Sequence, residues 1–183
     1  MNEFLDRNYN PEAIANEIKD PKNIYYLINY KDQPAGFSKI VLNARHDSIA
    51  AENVAILDRI YLAREFYGLK LGLELLNFNI ELAKQNNQSG MWLYVWIGNK
   101  RAVDFYLKAG FKIIGSHKYY VTKTHYDVSH HLFLNFFGIC AHRDSNSWCH
   151  PNDMEVDNYS FGRLTHFTEN YIRRFSANAR QRC

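Results

Sequence analysis

Cysteine is nearly absent from this sequence. The chain has 183 residues and three cysteines, and the first 139 residues contain none: the three are Cys140, Cys149 and Cys183. A main domain without cysteine cannot be built on a disulfide framework. We therefore expect a reducing, cytoplasmic setting for it.

The sequence also lacks a long apolar run and a strong charge of either sign. No run approaches the roughly 20 residues of a membrane span, and the N-terminus has no apolar signal core. The net charge is +3, with the basic residues dispersed. We therefore expect neither a membrane nor a nucleic-acid partner. A mild basic excess suits a ligand that carries phosphates.

Apolar periodicity predicts alternating helices and strands between residues 10 and 136. No internal repeat interrupts them, and the 46% hydrophobic content can build a core. The predicted elements are a helix from Asn10-Pro11, strands over 24–30, 37–42 and 54–62, a helix over 69–86, and a last strand over 127–136. This order predicts one α/β domain.

The last part of the chain differs in composition. Residues 138–183 are polar and show no sustained period, apart from a weak helical pattern over 164–179. We therefore divide the chain into a main domain, 1–137, and a polar C-terminal tail, 138–183, to which the sequence assigns no role.

Histidines and cysteines give no convincing metal site. The tail carries Cys140, His142, Cys149 and His150, in a spacing that is not a common zinc pattern. His130 and His131 are neighbours on a predicted strand, so they point to opposite faces. We expect His117 and His125 at the surface and predict no metal site.

The most informative segment is Asn99-Lys-Arg-Ala-Val-Asp-Phe-Tyr-Leu-Lys-Ala-Gly-Phe111. It reads as a short helix that Asn99 caps and that Gly110 ends in a left-handed conformation. Ala102, Phe105 and Tyr106 share one helical face. An apolar strand precedes the helix and another follows it.

This segment resembles the second coenzyme A motif of the GNAT superfamily of N-acetyltransferases. The resemblance implies a mixed, mostly antiparallel sheet flanked by helices. It implies that Asn99, Ala102, Phe105 and Tyr106 contact acetyl-CoA, the cosubstrate, and that the Tyr106 phenol protonates the departing thiolate. On residues alone, Phe105 and Tyr106 could equally be core residues of an amphipathic helix.

The segment from Arg64 to Gly72 resembles the family's phosphate-binding loop in a degraded form. Gly68 and Gly72 match family glycines, whereas Tyr67 stands where Gln or Arg is usual and Lys70 replaces a usual glycine. Glycine allows backbone N–H groups to approach a phosphate, and the following helix adds partial positive charge. The resemblance implies that the cofactor binds along Tyr67, Gly68, Leu69, Lys70, Leu71 and Gly72. Lys70 would either contact the pyrophosphate or narrow the loop.

The strand before this loop resembles the family strand that binds the pantetheine arm. Ile60, Tyr61 and Leu62 are the matching positions. Asp58 is the nearest match to an acidic residue that removes a proton from the amine in some members. The alternative is that Asp58 pairs with a nearby cation or faces solvent.

These expectations describe an enzyme that transfers acetyl from acetyl-CoA to a primary amine by direct attack. The 52–115 region looks most like bacterial members that acetylate small amines such as polyamines, and a protein amine is the other acceptor class. The competing hypothesis is a catalytically impaired coenzyme A-binding module.

That alternative follows from the N-terminus. Family members usually begin with a strand and a helix for which this chain has no room before Pro11. Without them, we expect residues 24–30 to form an open sheet edge that favours a homo-oligomer, unless residues 138–183 cover it.

Overall fold

Strands and helices alternate along the chain in the computed structural model, which describes residues 11–120, 126–137 and 158–164. A single turn of 3₁₀ helix, Arg64–Phe66, separates the third strand from the second helix. The elements are α1 Pro11–Lys19, β1 Asn23–Tyr30, β2 Gln33–Val41, β3 Val54–Leu62, α2 Leu71–Gln85, β4 Gly90–Trp96, α3 Lys100–Lys108, β5 Lys112–Tyr120, β6 Tyr126–Asn135 and β7 Tyr159–Arg163.

The strands form one seven-stranded sheet in the order β5-β6-β4-β3-β2-β1-β7. Among the strand pairs of the described residues, β3 and β4 alone are parallel, and the other neighbouring pairs are antiparallel. The predicted mixed, mostly antiparallel sheet with flanking helices is therefore confirmed. Among the described helices, none is both long and apolar enough to cross a membrane.

The main core lies between one face of this sheet and the helices α2 and α3. Met91, Leu93 and Val95 of β4 point into it. Because successive strand residues alternate between faces, Tyr94 and Trp96 point the other way and are partly exposed. We call the face opposite α2 and α3 the second face.

A buried polar pair ties the sheet to α2 within this core. The amide nitrogen of Asn79 donates to Ser38 Oγ at 2.9 Å and to the Leu75 carbonyl at 2.6 Å. Both side chains are fully buried, so each would lose its partner if the other were truncated. Because Ser38 faces α2, its neighbour Lys39 points to the second face, on which α1 lies.

The expected open edge at residues 24–30 is wrong, and the stated exception holds, because a strand from residues 138–183 covers it. Strand β7 pairs with β1 from Tyr26↔Arg163 to Tyr30↔Tyr159. The Phe161 ring stacks on Phe78 of α2 at 4.2 Å. Our expectation missed this strand because five residues are too few to show a period within a polar segment.

Because β7 covers β1, an open edge at β1 no longer supports self-association. The Tyr159 hydroxyl donates to a Glu74 carboxylate oxygen at 3.0 Å, which ties β7 to α2. The division into a main domain and a tail stays a prediction. The helical pattern over 164–179, apart from Leu164, and the tail cysteines and histidines lie outside the described residues.

Candidate functional site

The sheet opens between its two parallel strands. β3 and β4 pair only at Val54↔Gly90, Ala55↔Met91 and Ile56↔Trp92. Beyond that point β3 continues beside β2 to Leu62, and β4 continues beside β6 to Trp96. The strands therefore diverge, and the backbone of residues 57–62 borders a gap in which an extended ligand could pair with it.

The predicted pantetheine positions lie along this gap. Ile60, Tyr61 and Leu62 are half-buried and form the last part of β3. On their other side they pair with Ser38, Phe37 and Gly36 of β2. The register of β2 and β3 shifts between Lys39 and Ile40, which leaves Asp58 as the extra residue of a bulge.

Helix α3 follows β4 and begins at the open end of the gap, where β3 and β4 have diverged. The Asn99 side chain accepts a hydrogen bond from the Ala102 backbone N–H at 3.2 Å, and Gly110 has a φ of +95°. Both predicted ends of the helix are confirmed. Ala102 and Phe105 are partly buried against the core cluster that also contains Tyr106.

Tyr106 is a buried residue with aromatic neighbours. Its side chain is 7% exposed, with ring centroids of Phe105 and Phe111 at 5.2 and 5.6 Å. It shares its core cluster with Leu57 and Val95, which belong to the two diverging strands. Packing is therefore one role of Tyr106, and acid catalysis stays a prediction.

The loop that follows β3 has the backbone that its glycines predict. Gly68 has a φ of +88°, and a Cβ built there would meet no atom within 4 Å. Lys70 is also left-handed, with a φ of 59°, and directly precedes α2. The backbone turns sharply here, beside open space and the helix terminus.

The remaining loop positions differ in their surroundings. Leu69 is 43% exposed, whereas Leu71 is buried. A Cβ at Gly72 would lie 3.2 Å from a methyl carbon of Leu62. Gly72 therefore allows α2 to approach the end of β3.

Arg101 connects the two sides of the gap. Its guanidinium carbon lies 4.7 Å from the ring centroid of Tyr67, so a cation from α3 rests over the loop that follows β3. Sequence reasoning missed Arg101. The available signal was Tyr67 itself, because an aromatic ring can hold a guanidinium group over its face.

Asp58 lies in an ion network on the second face. Its Oδ2 is 2.9 Å from Lys39 Nζ and 3.7 Å from Arg59 Nε. Glu17 of α1 contacts the same two cations, at 3.0 and 3.1 Å. The structure thus brings Asp58 together with cations, as the alternative interpretation predicts.

A tyrosine completes this network. The Tyr25 hydroxyl donates to Glu17 Oε2 at 2.5 Å, and Arg59 donates to the Tyr25 oxygen at 3.1 Å. Partial burial acts to raise the pKa of Glu17. The hydrogen bond from Tyr25 and the charges of Arg59 and Lys39 outweigh it, so the net pKa is lowered.

Comparison with known proteins agrees with this geometry. The family described as "Acetyltransferase (GNAT) family" matches residues 2–111, which is more than half of the chain. The chain belongs to the GNAT acetyltransferase family. It is therefore an acetyltransferase.

Individual relatives of this GNAT protein are distant. An uncharacterized N-acetyltransferase from the pepI 3' region of Lactobacillus delbrueckii subsp. lactis is 28% identical over 117 residues, which cover 64% of this chain and 68% of the relative. A structure assigned as a streptothricin acetyltransferase from Bacillus anthracis, in complex with acetyl coenzyme A, is 28% identical, with a TM-score of 0.54 and coverage of 67% and 68%.

A third similarity concerns the fold alone. NAA60 from Arabidopsis thaliana, in complex with acetyl-CoA, has a TM-score of 0.60 at 15% identity and covers 74% of this chain and 92% of that chain. The first two proteins are named as acetyltransferases, and only the Bacillus anthracis structure has a name that states an acceptor.

Proposed function

We propose that this acetyltransferase transfers acetyl from acetyl-CoA to a primary amine by direct attack, without a covalent enzyme intermediate. The observation that carries the proposal is the gap between β3 and β4 with the Asn99-capped helix at its end. Such a gap offers unpaired strand backbone to an extended thioester arm.

The chain's residues fit acetyl-CoA at this gap. Open space lies above the left-handed Gly68, where a side chain would block a phosphate. The first N–H groups of a helix have no acceptor inside that helix, so the start of α2 can bind an anion. Lys70 and Arg101 add positive charge on the two sides.

Each predicted residue has a role in this arrangement. The backbone of Ile60, Tyr61 and Leu62 holds the pantetheine arm and donates to the carbonyl oxygen as negative charge develops there. Asn99 holds the arm at the opposite side of the gap. When bound, acetyl-CoA supplies the activated acetyl group.

Two proton transfers complete the proposed reaction. The neutral amine attacks the thioester carbonyl, and Tyr106 gives its phenolic proton to the thiolate that leaves. Asp58, or a water molecule, takes the proton from the amine. Since Asp58 already contacts Lys39 and Arg59, the Asp58 route requires the carboxylate to reach the amine from within an ion network.

The acceptor proposed first is a small amine such as a polyamine, because of the pattern in residues 52–115. The relative assigned as a streptothricin acetyltransferase makes streptothricin a second candidate. A protein α-amine is the third. These acceptors differ enough in size that one panel distinguishes them.

One observation favours the alternative of a non-catalytic binding module. Asp58 is ion-paired and Tyr106 is 7% exposed, so both predicted catalytic groups have structural roles. A module would bind acetyl-CoA through the same gap without using either group for chemistry.

Two measurements on one sample decide between these functions. Calorimetry measures acetyl-CoA binding, and release of the coenzyme A thiol measures turnover with spermidine, streptothricin and a peptide with a free N-terminus. We expect binding and amine-dependent release. Binding without release across the panel would favour the module, and absence of binding would overturn both proposals.

A further inference from the structure

Three histidines from separate parts of the chain meet on the second face of the sheet. His46 Nε2 lies 2.8 Å from His131 Nδ1, and His131 Nε2 lies 2.7 Å from His117 Nδ1. His46 belongs to the β2–β3 loop, His131 to β6 and His117 to β5. The expectation of a surface His117 is correct only in part, since the side chain is half-buried.

The donor and acceptor atoms of these three hydrogen-bonded histidines follow from the contacts of His46. The Ser48 backbone N–H donates to His46 Nδ1 at 3.1 Å. A backbone N–H can only donate, so His46 Nδ1 carries no proton and a neutral His46 carries its proton on Nε2.

The same reasoning then fixes the other two rings. His46 Nε2–H donates to His131 Nδ1, so the proton of a neutral His131 is on Nε2. His131 Nε2–H donates in turn to His117 Nδ1. All three neutral rings are therefore Nε2–H tautomers, and the hydrogen bonds run in one direction from Ser48 to His117.

When the three histidines are neutral, no ring nitrogen in these hydrogen bonds can take a further proton without a change in the bonds. After one proton is added, both histidine–histidine bonds can persist only if His46 Nδ1 is protonated. Protonation of this atom breaks the hydrogen bond from Ser48. A second added proton must place two protons in one histidine–histidine contact and break it. Proton uptake therefore removes these bonds one after another.

The His46–His131 bond, which is lost when two protons enter that contact, ties the loop between β2 and β3, residues 42–53, to β6. The His46 ring packs against Trp92 at 4.7 Å, and the Trp92 indole donates to the Ala44 carbonyl at 2.7 Å. We propose that His46, His131 and His117 form a proton-operated latch that holds this loop on the sheet when neutral and releases it when protonated.

Other titratable groups lie close to the three histidines. The Tyr94 ring of β4 packs against His117 and His131 at 4.6 and 4.7 Å. The charge of Asp47, in the loop, acts on Tyr94. His130 lies next to His131 on β6 but points to the other side and contacts Ser116 at 2.8 Å.

The pKa of His131 is lowered by partial burial and by the charges of His117, His46 and His130. The latch is therefore closed above the ordinary histidine pKa of about 6.5. Its contribution to loop stability is lost as the pH falls through the lower folded pKa.

Nitrogen-15 NMR of the full chain tests the tautomers and the coupling directly. At pH 8 we expect all three rings as Nε2–H tautomers. On acidification their titrations should be coupled, and the Ser48 amide shift should follow the first step. An Nδ1–H tautomer in any of the three, or three independent titrations near 6.5, would overturn the proposal.

Hydrogen exchange of the loop amides tests release. In His131→Phe we expect the protection of the amides of residues 44–52, measured relative to their intrinsic exchange rate at each pH, to fall roughly threefold to tenfold at pH 8 and to be independent of pH below 7. The control His130→Phe, on the other side of the same strand, should keep the parent's protection at pH 8 and its loss on acidification, with only a small upward shift in the pH of that loss, because the charge of His130 acts on His131. His46→Ala changes only the loop and should show the same loss if His131→Phe does not fold. If the protection of these amides still falls on acidification in His46→Ala as it does in the parent chain, the latch is contradicted.

Discussion

The two sides of the gap between β3 and β4 follow the family pattern to different degrees. On the β4 side, Asn99, Tyr106 and Gly110 occupy the positions that the GNAT motif predicts, and the helix has the predicted ends. On the β3 side, Tyr67 and Lys70 depart from the pattern, and the loop instead receives Arg101 from across the gap. At the position of Tyr67, where the resemblance implies Gln or Arg, a guanidinium group thus comes from the opposite side of the gap.

The largest expected effect is on the β4 side of the gap, which follows the GNAT motif. Tyr106→Phe should lower kcat by about 10²–10⁴-fold, the usual contribution of a general acid, with nearly unchanged acetyl-CoA affinity. Steady-state kinetics across pH, with calorimetry, measure both quantities. Phenylalanine keeps the packing against Phe105 and Phe111, so a variant with full kcat would reduce Tyr106 to a core residue.

The next effect tests the β3 side. Gly68→Val should weaken acetyl-CoA binding by about tenfold or more, because valine is strained at positive φ and fills the open space, and about 1.4 kcal/mol corresponds to tenfold. Gly162→Val is the matched control, since a Cβ there also meets no atom within 4 Å and its φ is not positive. Equal affinity in the two variants would remove Gly68 from the site.

A smaller effect is expected for the ion network of Glu17, Lys39, Asp58 and Arg59 on the second face of the sheet. The lowered pKa of Glu17 means that its contribution to stability is complete above its ordinary pKa, about 4.3, and is lost as the pH falls through the folded value. Glu17→Gln should therefore destabilise the protein by about 1 kcal/mol at pH 7, after screening by solvent, and by much less at pH 3.

Thermal unfolding at the two pH values measures this difference. Glu81→Gln is the control, because Glu81 is exposed and pairs with Lys84 of its own helix at 2.7 Å. We expect almost no effect of that change at either pH. A pH-independent loss in Glu17→Gln would mean that the charge of Glu17 is not what stabilises α1 on the sheet.

The smallest expected effect tests whether Arg101, from the β4 side of the gap, contributes to acetyl-CoA binding. Arg101→Ala should weaken acetyl-CoA binding severalfold, because it would remove a phosphate contact, and an exposed contact between opposite charges contributes about 0.2–1 kcal/mol. Its affinity should also depend less on salt concentration than that of the parent chain. Lys108→Ala, at the far end of α3, should change neither quantity. Identical salt dependence in both variants would argue against Arg101 as a phosphate ligand.

Local patterns predicted much of this fold. Asn99 and Gly110 mark helix ends because a cap and a left-handed glycine depend on a few neighbouring residues. Leu71 and Leu75 lie on a helical stripe that the structure buries. These features need no knowledge of distant parts of the chain.

Contacts between distant segments were not predictable in this way. Strand β7 is too short to show a period, and its partner β1 lies more than a hundred residues earlier in the chain. Likewise, Arg101 meets Tyr67 and His46 meets His131 only through the sheet order. Asp58 could be placed on its strand, but Lys39 became its partner through the register of β2 and β3.

The central claim is that acetyl-CoA binds in the gap between β3 and β4 and contacts both sides. Hydrogen-exchange mass spectrometry of the chain with and without acetyl-CoA tests this claim most directly. We expect slower exchange in residues 60–72 and in residues 97–106 together, with no change in β1 or β7. Protection on one side only, or protection elsewhere in the sheet, would contradict the account.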